Sequence, residues 1–357
     1  MTYAPGPYGY GRAAVPPPPK PGVIPLAPLD LGDVLAGSFE TYRRHWKVLL
    51  GVSLASYAAA AALIFGVGTV AWTALADRYD RWVDAPGPDG NQPELSPLFV
   101  GVGIIWLACA LGLLLATGLL HAAVATVVQE AVLGRRIRFG AVWRRSWSRL
   151  GATLGALLLP ALAALVPVLL SLVGFCLMLG GMIANIASNE GHHTDNGAGL
   201  LITGLLVLLL SAATLPVALW IWIRYSLAPT AAVIESAGPL AALRRSAELV
   251  RGSWWRIFGC TLVMLLIIGG ISFVVQMGVS LVAQFSMFTL QAEANLSPTP
   301  GTVFLAVGGL LAVVGLVQLL VQALLAPLQP LASGLLYVDQ RIRRENLGPA
   351  LAAQSVA

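Results

Sequence analysis

The chain has 357 residues, 57% hydrophobic and 10% charged, whereas about a quarter of a typical soluble domain is charged; this excludes a water-soluble globular domain as the main body. A formal charge of +5 could suit nucleic acid, but the basic residues abut apolar runs too long to leave in water, so nucleic acid is excluded and a membrane surface takes its place. The three cysteines, Cys109, Cys176 and Cys260, all fall in apolar runs, which excludes a disulfide framework.

Residues 1–29 are rich in Pro, Gly and Tyr without apolar periodicity, and are predicted to form a disordered tail with polyproline II character at PPPPKP. The tail carries neither the basic n-region nor the apolar h-region of a signal peptide, so insertion is expected to rely on the first spanning segment. Apolar segments then run over 48–76, 98–128, 151–187, 199–224, 257–289 and 302–337. Crossing the hydrocarbon core takes roughly 20 apolar residues, so each can span. Pro160 and Pro167 in the third, and Pro327 and Pro330 in the sixth, predict kinks, tilt or continuation beyond the bilayer. The connections 77–97, 188–198 and 290–300 are acidic, and all but two of the 21 basic residues lie in the other connections, at their borders or in the tails. The positive-inside rule therefore predicts that both termini are cytoplasmic. The fold class expected is all-α integral membrane, with 30–345 as the membrane domain and 346–357 as a C-terminal tail.

Arginine pairs recur along the chain. Arg43 and Arg44, Arg144 and Arg145, and Arg244 and Arg245 stand at intervals of 101 and 100 residues, each pair ahead of a span. Around them the spacing predicts three short basic amphipathic helices with tryptophans, suited to the cytoplasmic membrane interface. Their apolar stripes read as Leu31, Val34, Leu35, Phe39, Tyr42 and Trp46; then Phe139, Val142, Trp143 and Leu150; then Leu240, Leu243, Ala247 and Val250, with Leu249 off the last stripe. Glu130, Glu235 and Asp339 close the even-numbered spans at intervals of 105 and 104. An acid one helix upstream of an arginine pair is expected to form an ion pair fixing the interfacial helix. Helix, span, outer loop and span thus occur three times, with repeats at about 30–128, 129–226 and 227–340 in parallel orientation.

Chemistry is sparse. His192 and His193 sit in SNEGHHTDNG beside Glu190 and Asp195, but the spacing matches no established metal site and a Gly/Asn loop is a poor cage, so this reads as a polar loop. His121 lies within the second span, where a packed, hydrogen-bonded imidazole is the plainer reading and a proton relay the sharper one. Gln276 and Gln284 in the fifth span and Gln318 and Gln322 in the sixth fall on faces that could meet, as interhelical glue or as a polar path. Gly151 and Gly155 are expected to make a close helix contact. A phosphate loop, a Gly-x-Ser-x-Gly element, a Cys-x-x-Cys motif and paired carboxylates within a span are all missing, so neither catalysis nor a cofactor is expected.

YSLAPTAAVIES, LRRSAELVRGSWWRIFG and LLYVDQRIRRENLGP resemble a family of bacterial, especially actinobacterial, multi-span proteins related to the membrane domain of some glycerophosphoryl diester phosphodiesterases. The resemblance covers residues 24–347 and is most specific over 225–259. It implies a six-span membrane domain. The phosphodiesterase activity does not carry over, because a His-Arg-Gly element is missing and the lone Glu345-Asn346 lies in an arginine cluster. The expected function is non-catalytic binding of anionic lipid, or of a membrane-protein partner, through Arg43, Arg44, Arg144, Arg145, Arg244 and Arg245; the alternative is transport or export of a small or lipidic molecule.

Overall fold

In hydrocarbon a backbone must satisfy its own hydrogen bonds, and long apolar runs without turn residues do so as helices. The computed structural model describes residues 23, 28–83, 96–135, 137–189, 197–294 and 300–345, and its regular structure is entirely helical. The order is α1 (Leu31–Val83), α2 (Ser96–Val132), α3 (Phe139–Asn189), α4 (Gly197–Tyr225), α5 (Ala228–Ile234), α6 (Pro239–Val250), α7 (Trp254–Ala294), α8 (Pro300–Leu325) and α9 (Leu328–Glu345). Six stretches are long and apolar enough to cross a membrane, within α1, α2, α3, α4–α5, α7 and α8–α9, as expected of a multi-pass membrane protein. Most of the proline-rich tail, the C-terminal tail and the loop with His192 and His193 lie outside the described residues.

The predicted interfacial helices differ in how they end. The first is set off from its span by a kink at His45 (φ −117°, ψ 20°). The third, α6, stands alone because Gly252, at φ +84°, turns the chain where a residue with a Cβ would be strained. The second is not a separate helix: 139–150 continues into α3, since nothing between Leu150 and Pro160 breaks the helical hydrogen bonding. The sixth apolar segment, read as one run, is divided at Ala326 and Pro327 into α8 and α9. Pro160 and Pro167 are accommodated inside α3.

The long helices touch their neighbours in the closed order α1, α2, α3, α4, α7, α8 and back to α1, forming a ring. Its densest packing lies at the end that carries the arginine pairs. There Val124 and Val127 of α2, Leu227 at the N-cap of α5 and Ala231 within it, and Leu331 and Leu335 of α9 meet as one buried cluster, joined by Leu249 of α6 and Met264 of α7. A Cβ on Gly334 of α9 would lie 3.0 Å from Val128, so the two backbones approach closely. Away from this end large apolar side chains face outward: Phe65 is 75% exposed and Phe285 72%, as suits a hydrocarbon surround.

Small residues, not large ones, bring the spans together. Gly174, Gly181 and Gly204 set α3 against α4, and Ser211 Oγ, 2.7 Å from Ser171 Oγ, lies 2.8 Å from the Pro167 carbonyl oxygen it donates to. Of the pair singled out in the sequence, Gly155 packs against Pro239 of α6 while Gly151 faces open space, so the contact is with the interfacial helix and not a second span.

Candidate functional site

The arginine-bearing end is organised around two carboxylates. Asp339 on α9 is fully buried. Its oxygens accept from the Leu29 backbone N–H at 2.8 Å and from Arg343 Nε, one helical turn along α9, at 3.0 Å, and form an ion pair with Arg256 Nη1 at 3.0 Å. Arg343 and Arg256 both donate also to the Leu29 carbonyl oxygen. The segment entering α1 is thereby fastened to α7 and α9, the last elements of the fold.

Glu235, just past α5, is the second centre. It accepts from Arg245 Nε of α6 at 2.9 Å and from the Tyr337 hydroxyl of α9 at 2.5 Å. Arg245 also pairs with Glu345, which Arg341 holds from the preceding turn at 2.8 Å. Burial works against the charged form of Arg245, but the hydrogen bonds and charges of Glu235 and Glu345 outweigh it and hold the guanidinium above its ordinary pKa. The side chains of Glu235 and Arg245 are each about three-quarters shielded, at 26% and 27% exposed, so the pair is worth more than a surface ion pair. A Glu235→Gln, Arg245→Gln double-mutant cycle, read by melting midpoint in detergent, is expected to show coupling of about 1 kcal/mol. Additive single effects would mean that the pair does not hold α6 in place.

Glu130, the corresponding acid of α2, makes no ion pair among the described residues; its neighbour Gln129 accepts from Arg145 Nη2 at 3.0 Å. The link between interfacial segment and preceding helix is present there, but through an amide one position earlier. Arg43 and Arg44 turn instead to Glu40 on their own helix, at 2.8 and 3.8 Å, in exposed positions.

Each downstream pair thus divides its work. Arg145 and Arg245 are tied inward to the helix before them. Arg144 and Arg244 are exposed and have no hydrogen-bonding or ionic partner among the described residues. Exposed tryptophans lie on the same segments: Trp46, Trp147 and, at the start of α7, Trp255 are 48%, 51% and 77% exposed. The inward face only partly coincides with the apolar stripes read from the sequence: Val34, Val142 and Val250 are in the core, with Leu35, Tyr42 and Trp143 packed against it. Thr41, Val142 and Ala242, and one turn later His45, Ser146 and Ser246, are buried, whereas Phe39, Trp46, Phe139 and Leu240 face outward. Leu249, left off the third stripe, is in the core at 1% exposed. Where the surround is hydrocarbon or headgroup, large apolar side chains gain nothing by turning inward, and small or hydroxyl-bearing ones allow close helix approach.

The intramembrane candidates separate. His121 and Gln322 line a common pocket with Tyr57, whose side chain hydrogen-bonds Gln322. All four span glutamines are exposed, but only Gln322 lines the pocket, and the fifth- and sixth-span glutamines form no bridge with one another among the described residues. The described residues contain no group of three or more His, Cys, Asp or Glu side chains placed to hold a metal, and the three cysteines are unpaired.

Tyr337, Arg256, Arg343 and Gln329 were not singled out in the sequence. The signal was there for the first three, since the stretches 225–236, 243–259 and 335–349 together supply Glu235, Arg245, Arg256, Tyr337, Asp339, Arg343 and Glu345, seven of the network's groups. A family profile described as a domain of unknown function (DUF7847) matches residues 99–328, more than half of the chain. The chain belongs to that family. No curated protein and no solved structure matches it significantly. The DUF7847 region holds Glu235, Arg245 and Arg256, while their partners Tyr337, Asp339 and Glu345 lie beyond it on α9. The network therefore joins the family region to the helix that follows.

Proposed function

We propose that this is a non-catalytic bacterial inner-membrane protein that gathers anionic lipid at its cytoplasmic face through the arginines its own carboxylates leave unused. The observation that carries this reading is the division within the arginine pairs: Arg145 and Arg245 are consumed internally, while Arg144 and Arg244 are exposed, with outward-facing Trp147 on the segment of the first and Trp255 at the start of the helix after the second. Cationic side chains with interfacial tryptophans favour the headgroup layer, and each arginine near an anionic surface contributes about 1 kcal/mol. Both termini belong in the cytoplasm on this reading. A threefold repeat accounts for the matched buried positions Thr41, Val142 and Ala242, and for the meeting of the α2 end, α5 and α9 in one core. Kinship with the membrane domain of glycerophosphoryl diester phosphodiesterases is part of the same proposal and accounts for the six-span frame without the catalytic barrel.

The test is the lipid that co-purifies in mild detergent. The Arg144→Gln, Arg244→Gln double variant is expected to retain several-fold less anionic phospholipid than the parent while melting at the same temperature, because neither side chain holds the fold. Retention equal to the parent's would contradict the proposal. Transport of a small or lipidic molecule is the second reading, favoured by one observation, the polar pocket that His121 and Gln322 line.

A further inference from the structure

The face of α2 formed by Ala110, Leu114, Thr117 and His121, spaced three or four residues apart, lines two cavities. Toward Trp106 it borders an apolar groove of about 590 Å³, walled by α3 and by Trp222 of α4. Toward the arginine end it borders a pocket of about 200 Å³, where Tyr57 of α1, Gln322 of α8 and Gln329 of α9 face His121. The groove touches α2, α3 and α4, and the pocket touches α1, α2, α7, α8 and α9. Thr117 lines both, so the two cavities adjoin.

Their chemistries are complementary halves of one ligand. The pocket has a phenol, a threonine, an imidazole and two amides, and no carboxylate, lysine or arginine. His121 Nδ1 lies 2.9 Å from the Thr117 carbonyl oxygen; a carbonyl only accepts, so Nδ1 donates and the neutral ring presents Nε2 as an acceptor. Amide groups add donors and acceptors, and at membrane depth such groups are costly unless something completes their hydrogen bonding. A charged head would find no counter-ion there. The volume equals about seven waters at roughly 30 Å³ each, enough for a small polar head. The groove's walls are predominantly apolar, with Thr117, the Cys109 thiol and the indole N–H groups of Trp106 and Trp222 as their polar points, and it falls within the roughly 300–1,000 Å³ of ordinary ligand sites.

We infer that the ring binds a single-chain amphiphile with an uncharged, hydroxyl-bearing head, the head at Tyr57, His121 and Gln322 and the chain in the groove between α2 and α3. This site is separate from the basic face proposed above and uses none of its arginines. The probe is 1-monooleoylglycerol, titrated onto the purified full chain, with oleate as the charged comparison and bound ligand counted by native mass spectrometry. One equivalent is expected to bind, with oleate at least tenfold weaker. Gln322→Met, which removes the amide at similar volume, and Ala161→Trp, which fills the groove, are each expected to weaken binding about tenfold, with the parent's melting midpoint and retained anionic phospholipid unchanged. Equal binding by both variants, or oleate bound as tightly as the monoglyceride, overturns the assignment. Because retained phospholipid is read in the same samples, failure here is distinct from failure at the basic face.

Discussion

Asp339→Ala is expected to lower stability by about 3 kcal/mol, the largest loss of any single substitution at the arginine end. The carboxylate has no exposure to solvent, and it satisfies the Leu29 N–H, Arg256 and Arg343 together. Removing it leaves two guanidinium groups, 28% and 35% exposed, without the charge they were placed to meet, and frees the chain ahead of α1. Asp339→Asn should recover only part of the loss, because an amide keeps one acceptor oxygen but has no charge to balance two cations. Glu40→Gln is the contrast. Its arginine partners Arg43 and Arg44 are 81% and 49% exposed, so that change should move the melting midpoint by less than about 0.5 kcal/mol equivalent. Thermal unfolding of the three variants in one detergent measures all of this, and an Asp339→Ala midpoint equal to that of Glu40→Gln would remove Asp339 from the centre of the fold.

The second large effect belongs to the α3–α4 contact. Gly204→Leu is expected to cost about 2–3 kcal/mol by overpacking. A Cβ at Gly204 would sit 2.8 Å from the Gly174 carbonyl oxygen and 2.8 Å from the Met178 backbone nitrogen, and one at Gly174 would lie 3.0 Å from the Gly204 carbonyl oxygen. These obstacles are backbone, not the yielding tip of a side chain, so the two helices must part. Parting them breaks the bonds by which Ser211 holds Ser171 and the Pro167 carbonyl. Gly199→Leu, on the same helix but with nothing within 4 Å of its would-be Cβ, should be nearly neutral. Equal midpoints for the two leucine variants would mean that the glycines are not what sets the helices so close.

The spans were legible because length and apolarity alone decide them in a bilayer, and the arginine end was legible because its charges recur. What each charge does was not. Arg144 and Arg145 are neighbours in sequence, yet they point a helical step of about 100° apart, and only the position of Gln129 decides which is consumed. The inward face was only partly legible for a related reason: Val34, Val142 and Val250 of the stripes are in the core, but other stripe members are not. Amphipathic spacing assumes water outside, whereas here Thr41, Ser146 and Ser246 face the core and Trp46 and Leu240 the exterior. The continuity of α3 through 139–150 and the division of α8 from α9 depended on where the chain meets a break, at Gly252 and Pro327 but nowhere between Leu150 and Pro160. The pocket was half visible: His121 and Gln322 stood out as polar residues in apolar runs, but Tyr57 and Gln329 became members only when the ring brought α1 and α9 beside α2.

Gathering anionic lipid requires the arginine-bearing end to face the cytoplasmic leaflet. Replacing Cys109, Cys176 and Cys260 by alanine and placing one cysteine at Arg135, in the exposed turn between α2 and α3, allows this to be measured with a membrane-impermeant maleimide. Labelling is expected only after the cells are opened. Labelling of intact spheroplasts from outside would put the arginines at the wrong leaflet and remove the anionic-lipid reading with them.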